Sequence, residues 1–288
     1  MRHYVLYNHI AGSGKYKNRI EELCTSLGED TKLCDITEIS SYRDFILALA
    51  DDDVIVIAGG DGTLNRFAND TDGIDIKNEI LYYASGTGND FLHDIDGEDG
   101  SRPFRINEYI KNLPTVDVNG KTYRFINGVG YGIDGYCCEV GDNQRATSTK
   151  PVNYTAIAIK GLLFHFKPRN AVVTVDGKEY IYSKVWIAPT MNGRFYGGGM
   201  MPTPNQKRLG ADGRVSLMLF HGTSNIRTLM IFPSIFKGEH VKHEKVVAIH
   251  EGHEISVRFD RPTALQIDGE TILGVTEYTV HAKERVTP

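Results

Sequence analysis

The chain has 288 residues, with 32 Lys and Arg against 37 Asp and Glu, and its formal net charge is −5. This balance argues against a protein that mainly neutralises nucleic-acid phosphates, so we expect no nucleic-acid partner. A hydrophobic share of 41% is ordinary for a globular protein and excludes a disordered or collagen-like chain. No apolar run approaches the roughly 18 residues of a membrane-spanning helix, and the N-terminus is too poor in apolar residues for a signal peptide. We therefore expect a cytoplasmic protein, and the length favours two domains.

Short apolar runs alternate with segments of helical periodicity over the first 115 residues. The runs at 4–7, 54–58 and 81–84 are rich in β-branched and aromatic residues and predict buried strands. Apolar residues at helical spacing predict helices around 20–27, 42–49 and 106–113. Strands that alternate with one-faced helices require a parallel sheet covered on both sides. Residues 1–115 are therefore predicted to form an open α/β domain.

After Pro114 the pattern changes to strands joined by tight turns. Asn119-Gly120 and Asp176-Gly177 each lie between β-prone runs and predict hairpins. Further strands are predicted at 172–175, 181–188, 215–220, 245–249, 254–259 and 278–281, interrupted by one helix at about 154–166. Residues 116–270 are therefore predicted to form an antiparallel β-sandwich. The last segment, 271–288, is expected to return to the first domain.

Three glycine-rich turns follow the predicted strands of the first domain. GGDGTLN at 59–65 comes directly after a buried strand and before a helical stretch, where backbone N–H groups and a helix N-terminus can hold phosphate. SGTGNDF at 85–91 and NHIAGSGK at 8–15 follow the two other strands. The loop at 59–65 matches neither the Walker A pattern nor the GxGxxG fingerprint. Because ligands of open α/β sheets bind outside the carboxyl ends of the strands, these turns are predicted to converge on one crevice.

These motifs resemble the diacylglycerol kinase catalytic family, in the form of the soluble bacterial lipid kinases. GGDGTLN is similar to the family's nucleotide-binding signature, GTGNDF at 86–91 to its second motif, and residues 8–15 to its N-terminal segment. The stretch NGRFYGGGM at 192–200, Asp212-Gly213 and Asp268-Gly269-Glu270 complete the series in the family's order. The resemblance implies an open α/β domain like those of NAD kinase and phosphofructokinase, followed by an antiparallel β-sandwich.

The resemblance also implies site residues. Glu270 is the implied proton acceptor, with Asp268 beside it, and Asp61 is the implied third catalytic residue. A lipid hydroxyl must lose its proton as it attacks the γ-phosphorus of ATP, while Mg²⁺ offsets the charge on the phosphates. The implied ATP-binding residues are Asn8, His9, Ile10, Ala11, Gly12, Thr37, Gly59, Gly60, Asp61, Gly62, Thr63, Leu64, Asn65, Arg66 and Thr87. A further Mg²⁺ site is implied at Leu209, Asp212 and Arg214.

Two residues depart from the family pattern. His9 replaces the usual proline, and Arg66 stands where the family commonly has Glu. Two apolar segments with basic flanks are candidates for peripheral contact with the inner membrane surface. The first is the segment 154–166, for which a helix packed against the sheet is the alternative, and the second comprises Phe232, Ile235, Phe236 and Lys237.

The predicted function is an ATP-dependent kinase that phosphorylates the hydroxyl of a lipid such as diacylglycerol, with the acceptor between the two domains. An NAD kinase-like enzyme and a catalytically silent nucleotide-binding regulator are the alternatives. The GTGNDF motif favours a lipid kinase over an NAD kinase. The presence of Asp268-Gly269-Glu270 argues against a catalytically silent regulator. The sequence leaves the acceptor and the oligomeric state open, a homodimer included.

Overall fold

The computed structural model describes residues 1–9, 14–86, 88–95, 98–147 and 152–283. The chain divides into two compact units, Met1–Asn112 and Leu113–Pro288. Within the described ranges, no helix is both long enough and apolar enough to cross a bilayer.

The first unit is an open α/β sheet. Its elements are β1 (His3–Tyr7), α1 (Gly14–Leu27), β2 (Thr31–Asp35), α2 (Tyr42–Leu47), β3 (Val54–Gly59), α3 (Asp61–Asp70), β4 (Glu79–Ala84), α4 (Asp90–His93), β5 (Phe104–Arg105) and α5 (Asn107–Ile110). The strand order is β2-β1-β3-β4-β5, with β1 to β4 parallel and β5 antiparallel to β4. All six residues of β3 are buried, as the run VIVIAG predicts for a central strand covered on both faces.

The predicted fold class of this unit is confirmed, together with its three predicted strands. The strand β2 was not predicted, because its sequence TKLCD is half polar and lies at the sheet edge with little burial. The predicted helix at 106–113 is shorter than expected and covers only Asn107–Ile110.

The second unit is built on an antiparallel sheet. Its elements are β6 (Thr115–Val118), β7 (Lys121–Arg124), β8 (Gly128–Tyr131), α6 (Ile133–Thr147), α7 (Tyr154–Lys160), a π-helical turn (Gly161–His165), β9 (Arg169–Val175), β10 (Lys178–Val185), β11 (Thr190–Met191), β12 (Val215–Phe220), α8 (Asn225–Ile231), two 3₁₀ helices (Phe232–Lys237 and Glu239–Lys242), β13 (Val247–Gly252), β14 (Glu254–Ile267) and β15 (Glu270–His281). The main strand order is β13-β12-β11-β8-β14-β15-β6-β7, and β9 links β14 to β10.

The strand β14 allows this sheet to enclose a core. Its pairing register with β15 shifts between Arg258 and Thr263, so its first part pairs with β9 and its last part with β8. The core contains fully buried side chains from β8, β12, β14 and β15, among them Tyr131, Leu217 and Tyr278. The antiparallel β character predicted for this unit is confirmed.

Tight turns with an Asx-Gly pair join three hairpins of this sheet. Asn119-Gly120 joins β6 to β7 and Asp176-Gly177 joins β9 to β10, as predicted. Asp268-Gly269 joins β14 to β15 in the same way. Both residues of each pair have positive φ, for example 46° at Asp268 and 98° at Gly269, and glycine accepts this conformation without a Cβ clash.

Three expectations for the second unit were wrong or incomplete. One helix was predicted, but the structure also contains α6 and α8, and the predicted helix at 154–166 continues after Lys160 as a π-helical turn. The helix α6 lies so close to β14 that a Cβ on Gly135 would be 2.0 Å from the Ala264 carbonyl oxygen. The described part of 271–288 pairs with β14 and β6 inside the second sheet, and does not return to the first unit.

Candidate active site

Loops from four parallel strands share one edge of the first sheet. Because β2, β1, β3 and β4 are parallel neighbours, their carboxyl ends lie on the same side. His9 follows β1, Thr37 follows β2, Gly60 and Asp61 follow β3, and Gly86 follows β4. The structure therefore gathers residues that are far apart in the sequence along one edge.

The loops after β3 and β4 cross at van der Waals distance through two glycines. A Cβ on Gly86 would lie 2.5 Å from the Gly60 Cα, and one on Gly60 would lie 3.2 Å from the Gly86 Cα. The Ser85 N–H donates to the Gly59 carbonyl at 2.9 Å and fixes the crossing. A side chain at either crossing position would force the two loops apart.

The helix α3 begins at this crossing, and its first residues include two glycines. Gly60 is the N-cap residue and supplies no capping side chain. A Cβ on Gly62, in the first turn, would meet no atom within 4 Å. A ten-residue helix with an open first turn presents backbone N–H groups and the positive end of its dipole to an anion.

Asp61 ties the two loops together through hydrogen bonds. Its Oδ2 accepts from the Asp90 N–H at 3.0 Å and its Oδ1 from the Phe91 N–H at 2.9 Å, at the start of α4. A Cβ on Gly88 would lie 3.7 Å from Asp61 Oδ2 and 3.9 Å from Asp90 Oδ2. Asp61 thus has a structural role in the loops, and two carboxylates face one point beside them.

Two buried polar atoms in the β4 loop have no hydrogen-bond partner among the described residues. They are Ser85 Oγ and Asn89 Oδ1, and Asn89 has a left-handed backbone with φ of 52°. An unsatisfied buried polar atom costs about 1–3 kcal/mol, so such atoms usually mark a place for water or ligand. Sequence reasoning did not select these two residues, although both lie in or beside the GTGNDF motif.

His9, Asp35 and Thr37 form a cluster at the ends of β1 and β2. The Thr37 N–H and hydroxyl donate to Asp35 Oδ1 at 2.9 and 2.8 Å, and His9 Nδ1 contacts Asp35 Oδ2. Burial acts to raise the pKa of Asp35, but the hydrogen bonds from Thr37 and His9 and the charge of His9 outweigh it and hold that pKa below its usual range. Asp35, which the sequence did not single out, positions two predicted ATP-binding residues.

The remaining predicted ATP-binding residues lie in different surroundings. Leu64 is fully buried, so its side chain belongs to the core, and the Asn65 carbonyl and side-chain oxygens both accept from Asn69 Nδ2. Arg66 is exposed and pairs with Asp70 on α3 at 3.3 Å. The predicted residues Ile10, Ala11, Gly12 and Thr87 lie outside the described residues.

In the second unit, Asp268 is held by backbone donors. Its Oδ2 accepts from the Ile126 N–H at 2.5 Å, and its Oδ1 accepts from the N–H groups of Asn127 and Gly128 at 2.8 and 2.9 Å. Both carboxylate oxygens therefore bind the segment that leads into β8. This geometry makes Asp268 an anchor for the β14–β15 hairpin.

Glu270 lies two residues further, and its side chain is exposed. Its neighbours are fixed, because the Gly269 N–H donates to Gln266 Oε1 at 2.7 Å and the Thr271 hydroxyl donates to Asp142 Oδ2 at 2.6 Å. Within the described ranges, the Glu270 carboxylate takes part in no hydrogen bond or ion pair. Of the two predicted carboxylates, Glu270 alone is presented to solvent by a rigid turn.

A third carboxylate near this hairpin was not predicted. Asp134, at the start of α6, is buried against β8: a Cβ on Gly130 would lie 2.0 Å from its Oδ2. Burial raises the pKa of Asp134 to about 6. Its Oδ2 accepts from the Tyr196 hydroxyl at 3.1 Å, while its Oδ1 has no partner among the described residues. In the sequence, the only sign of this buried carboxylate is that Asp134 is the single charged residue in the stretch GVGYGIDG at 128–135.

Comparison with known families decides the class of protein. Residues 2–114 match the diacylglycerol kinase catalytic domain, and residues 127–288 match the YegS C-terminal NAD kinase beta sandwich-like domain. The chain belongs to the diacylglycerol kinase family. The predicted family and fold class are thereby confirmed.

Relatives of this diacylglycerol kinase family member show modest identity. A Mycobacterium tuberculosis (strain H37Rv) protein named diacylglycerol kinase is 27% identical over 202 residues, which cover 67% of this chain but only 63% of that relative. The chain therefore matches less than two thirds of that protein's length. A Staphylococcus aureus (strain Mu3) protein named "Putative lipid kinase" is 26% identical over 285 residues, 94% of this chain and 88% of the relative.

Solved structures share the fold at low identity. A diacylglycerol kinase from Bacillus anthracis str. Sterne has a TM-score of 0.61 at 16% identity and covers 99% of this chain and 94% of its own. Yeast NADH kinase complexed with NADH has a TM-score of 0.50 at 10% identity, with 99% and 81% coverage. At these identities the likeness establishes the fold of this diacylglycerol kinase family member and nothing about its substrate.

The residues of the predicted β-domain metal site lie in one turn of the second unit of this family member. Asp212 Oδ2 pairs with Arg214 Nε at 3.4 Å, and the Asp212 carbonyl accepts from His253 Nε2 at 2.9 Å. The Arg214 carbonyl accepts from Gln206 Nε2, and Leu209 lies exposed beside the turn. No group of three or more His, Cys, Asp or Glu suited to a metal occurs in the part of the chain that the structure describes. The Asp212 carboxylate thus already has a cationic partner in this turn, and the metal site at Leu209, Asp212 and Arg214 stays a prediction.

Proposed function

We propose that this protein is an ATP-dependent kinase that transfers the γ-phosphoryl group of ATP to the hydroxyl of a lipid such as diacylglycerol. The observation that carries the proposal is the crossing of Gly60 and Gly86 beside the open N-terminus of α3, in a chain with a diacylglycerol kinase catalytic domain. Close backbone approach and a helix N-terminus are the features that hold nucleotide phosphates.

Each residue of the first unit has a stated task in this proposal. The backbone of Gly60 and Gly62 accommodates the phosphates, and Asp61 keeps the two loops in register. The Ser85 hydroxyl can donate a hydrogen bond to a phosphate oxygen, and Asn89 Oδ1 can accept one from water or from a donor group of the nucleotide. Asp61 Oδ2 and Asp90 Oδ2 both lie near Gly88 and are hard oxygen atoms of the kind that would hold Mg²⁺. Asp61 Oδ2 accepts a hydrogen bond from the Asp90 N–H, and a carboxylate oxygen has a second lone pair that can bind a cation. When bound, Mg²⁺ offsets the charge on the phosphates.

Glu270 is the proposed proton acceptor. As the lipid oxygen forms its bond to the γ-phosphorus, the bond from that phosphorus to the β–γ bridging oxygen breaks and ADP leaves. The hydroxyl proton passes to the Glu270 carboxylate, which is exposed and has no partner among the described residues. Asp268 is a positioning residue, because its oxygens are used to hold the turn.

ATP consumption by the purified protein tests the function. We expect ADP release that depends on a lipid alcohol, with diacylglycerol, sphingoid bases, other lipid alcohols and NAD offered in parallel. A response to NAD alone would identify an NAD kinase-like enzyme instead. ATP binding without turnover on any acceptor would identify a nucleotide-binding regulator, and either result would overturn the proposal.

We also propose that the second unit contacts the cytoplasmic membrane surface peripherally through an apolar face on α7, the π-helical turn, α8 and the 3₁₀ helix Phe232–Lys237. The helix α8 joins the turn through Asn225 Nδ2, which donates to the Leu163 carbonyl at 3.4 Å. The segments 152–169 and 221–238 contain no Asp or Glu, in a chain of net charge −5. Basic residues with exposed apolar neighbours suit an anionic lipid surface. The exposed apolar residues of this face are Tyr154, Ile159, Phe164, Ile226, Met230 and Phe236.

The two predicted lipid-facing segments are each split between the core and this face. Ile157, Leu162 and Phe166 are buried, so the segment 154–166 both packs on the sheet and exposes Phe164. Ile235 is 1% exposed and belongs to the core, whereas Phe236 is half exposed. The apolar face therefore contains only some of the residues in the two predicted lipid-facing segments.

Phe164→Ser is expected to weaken binding to vesicles of anionic lipid about 30-fold, because a largely exposed Phe contributes roughly 2 kcal/mol when it enters an apolar phase. Flotation with vesicles of phosphatidylcholine and phosphatidylglycerol measures the bound fraction. Ile181→Ser is the matched control, since Ile181 is 77% exposed on β10, outside the apolar face. Equal losses in both variants would argue against this face.

A further inference from the structure

A cavity of about 230 Å³ opens in the second unit between α6, the π-helical turn and the β14–β15 hairpin. Tyr136 and Phe166 form aromatic walls, and Glu139, His165 and Arg169 contribute charged or titratable groups. Glu270 does not line it. The cavity is thus distinct from the proposed proton acceptor, and its lining is partly apolar and partly polar.

Arg169 is fixed in this cavity with a defined orientation. Its Nε donates to Thr263 Oγ1 at 3.0 Å, and its Nη1 donates to the Lys167 carbonyl at 2.5 Å. The guanidinium carbon lies 5.3 Å from the centre of the Phe166 ring. Two hydrogen bonds and a ring contact fix the planar guanidinium group, and its Nη2 can still donate to another acceptor.

No carboxylate within the described ranges forms an ion pair with Arg169, although Glu139 lines the same cavity. The acidic side chain whose charge acts on it is Asp260, whose Oδ2 accepts from Asn170 at 3.0 Å and whose Oδ1 lies 3.6 Å from Arg261 Nε. Burial lowers the pKa of Arg169, and the positive charge of Arg261 lowers it further. A half-buried guanidinium next to a second cation is costly, and a bound anion relieves that cost.

Exposed apolar residues occur in the lining of the cavity and next to it in the chain. Leu273, which lines the cavity, is 60% exposed, and Phe164, which is 76% exposed, precedes the lining residue His165. An anion carried on hydrocarbon chains would place its charge at Arg169 and its chains against these side chains. A free inorganic anion would use only the first of these features.

We propose that this cavity binds the phosphate group of an anionic glycerophospholipid, with Arg169 as the phosphate ligand. Glu139, on the α6 wall, accepts from head-group hydroxyls, and the neighbouring cations Arg169 and Arg261 favour an anionic lipid over zwitterionic phosphatidylcholine. The site contains none of the residues assigned to phosphoryl transfer, and its occupancy is measurable without turnover.

The only tryptophan of the chain reports on this cavity. Trp186 lies next to Phe166, with ring centroids 6.3 Å apart. Titration with dihexanoyl phosphatidylglycerol below its critical micelle concentration is expected to change the Trp186 emission in a saturable way. Inorganic phosphate alone is expected to bind at least about tenfold more weakly, because it lacks the apolar contacts.

Arg169→Gln is expected to raise the dissociation constant for dihexanoyl phosphatidylglycerol about tenfold or more, since a charge-assisted pair is lost. Arg258→Gln removes the same charge from an exposed position on β14 outside the cavity, and serves as the matched control. Circular dichroism and the unfolding midpoint establish that both variants are folded. Unchanged affinity in Arg169→Gln, equal affinity for inorganic phosphate, or equal affinity for dihexanoyl phosphatidylcholine would each overturn the proposal.

Discussion

Glu270→Gln is expected to lower kcat by about 10²–10⁴-fold, the range typical for loss of a general base. Gln has the same shape as Glu but cannot take the hydroxyl proton. Because the Glu270 side chain is exposed and makes no hydrogen bond with the described residues, its replacement should leave the unfolding midpoint unchanged. Steady-state ADP release with the lipid alcohol that supports turnover, and thermal unfolding of the same preparation, measure both quantities.

Asp268→Asn is the matched comparison, because it makes the same chemical change two residues away. The Asp268 carboxylate accepts from three backbone N–H groups, and an amide nitrogen in place of one oxygen would face a donor. We expect the free energy of unfolding to fall by about 2–4 kcal/mol, measured by urea titration. Full turnover in Glu270→Gln would contradict the assignment of the base. An unchanged stability in Asp268→Asn combined with lost turnover would reverse the two roles.

The sequence alone could not separate these two carboxylates. Asp268 and Glu270 are equivalent in a motif read along the chain, and the donors that occupy Asp268 come from residues about 140 positions earlier. Spacing along one strand carries no information about contacts of that range. Asp61 shows the same limit, since its partners at Asp90 and Phe91 lie on a loop after another strand.

Short sequence patterns were sufficient to predict the elements whose conformation depends mainly on neighbouring residues in the chain. The buried run VIVIAG predicted β3, and the Asn-Gly and Asp-Gly pairs predicted two hairpins, because buried strands and positive φ each leave a short sequence signal. The helix α6 left no such signal. Its residues Gly135 and Gly141 lower helix propensity, and they are small because β14 and Tyr154 approach closely. Asp134 went unpredicted for the same reason, since its burial depends on that packing.

Gly86→Ala and Gly62→Ala are expected to impair nucleotide binding in different ways. In Gly86→Ala the new Cβ would lie 2.5 Å from the Gly60 Cα, so the crossing must open. We expect the free energy of unfolding to fall by about 1–3 kcal/mol and ATP binding to be lost with it. In Gly62→Ala the new Cβ meets no atom within 4 Å, and alanine favours the helix by up to about 1 kcal/mol.

Gly62→Ala is therefore expected to keep or raise stability while the dissociation constant for ATP rises about tenfold or more, because the methyl group occupies the approach to the first turn of α3. Isothermal titration with ATP and urea unfolding of both variants separate the two effects. Unchanged ATP affinity in Gly62→Ala would remove this turn from the phosphate site. Unchanged stability in Gly86→Ala would mean that the loops after β3 and β4 do not depend on the glycine crossing. The phosphate site would then have to form only when the nucleotide binds.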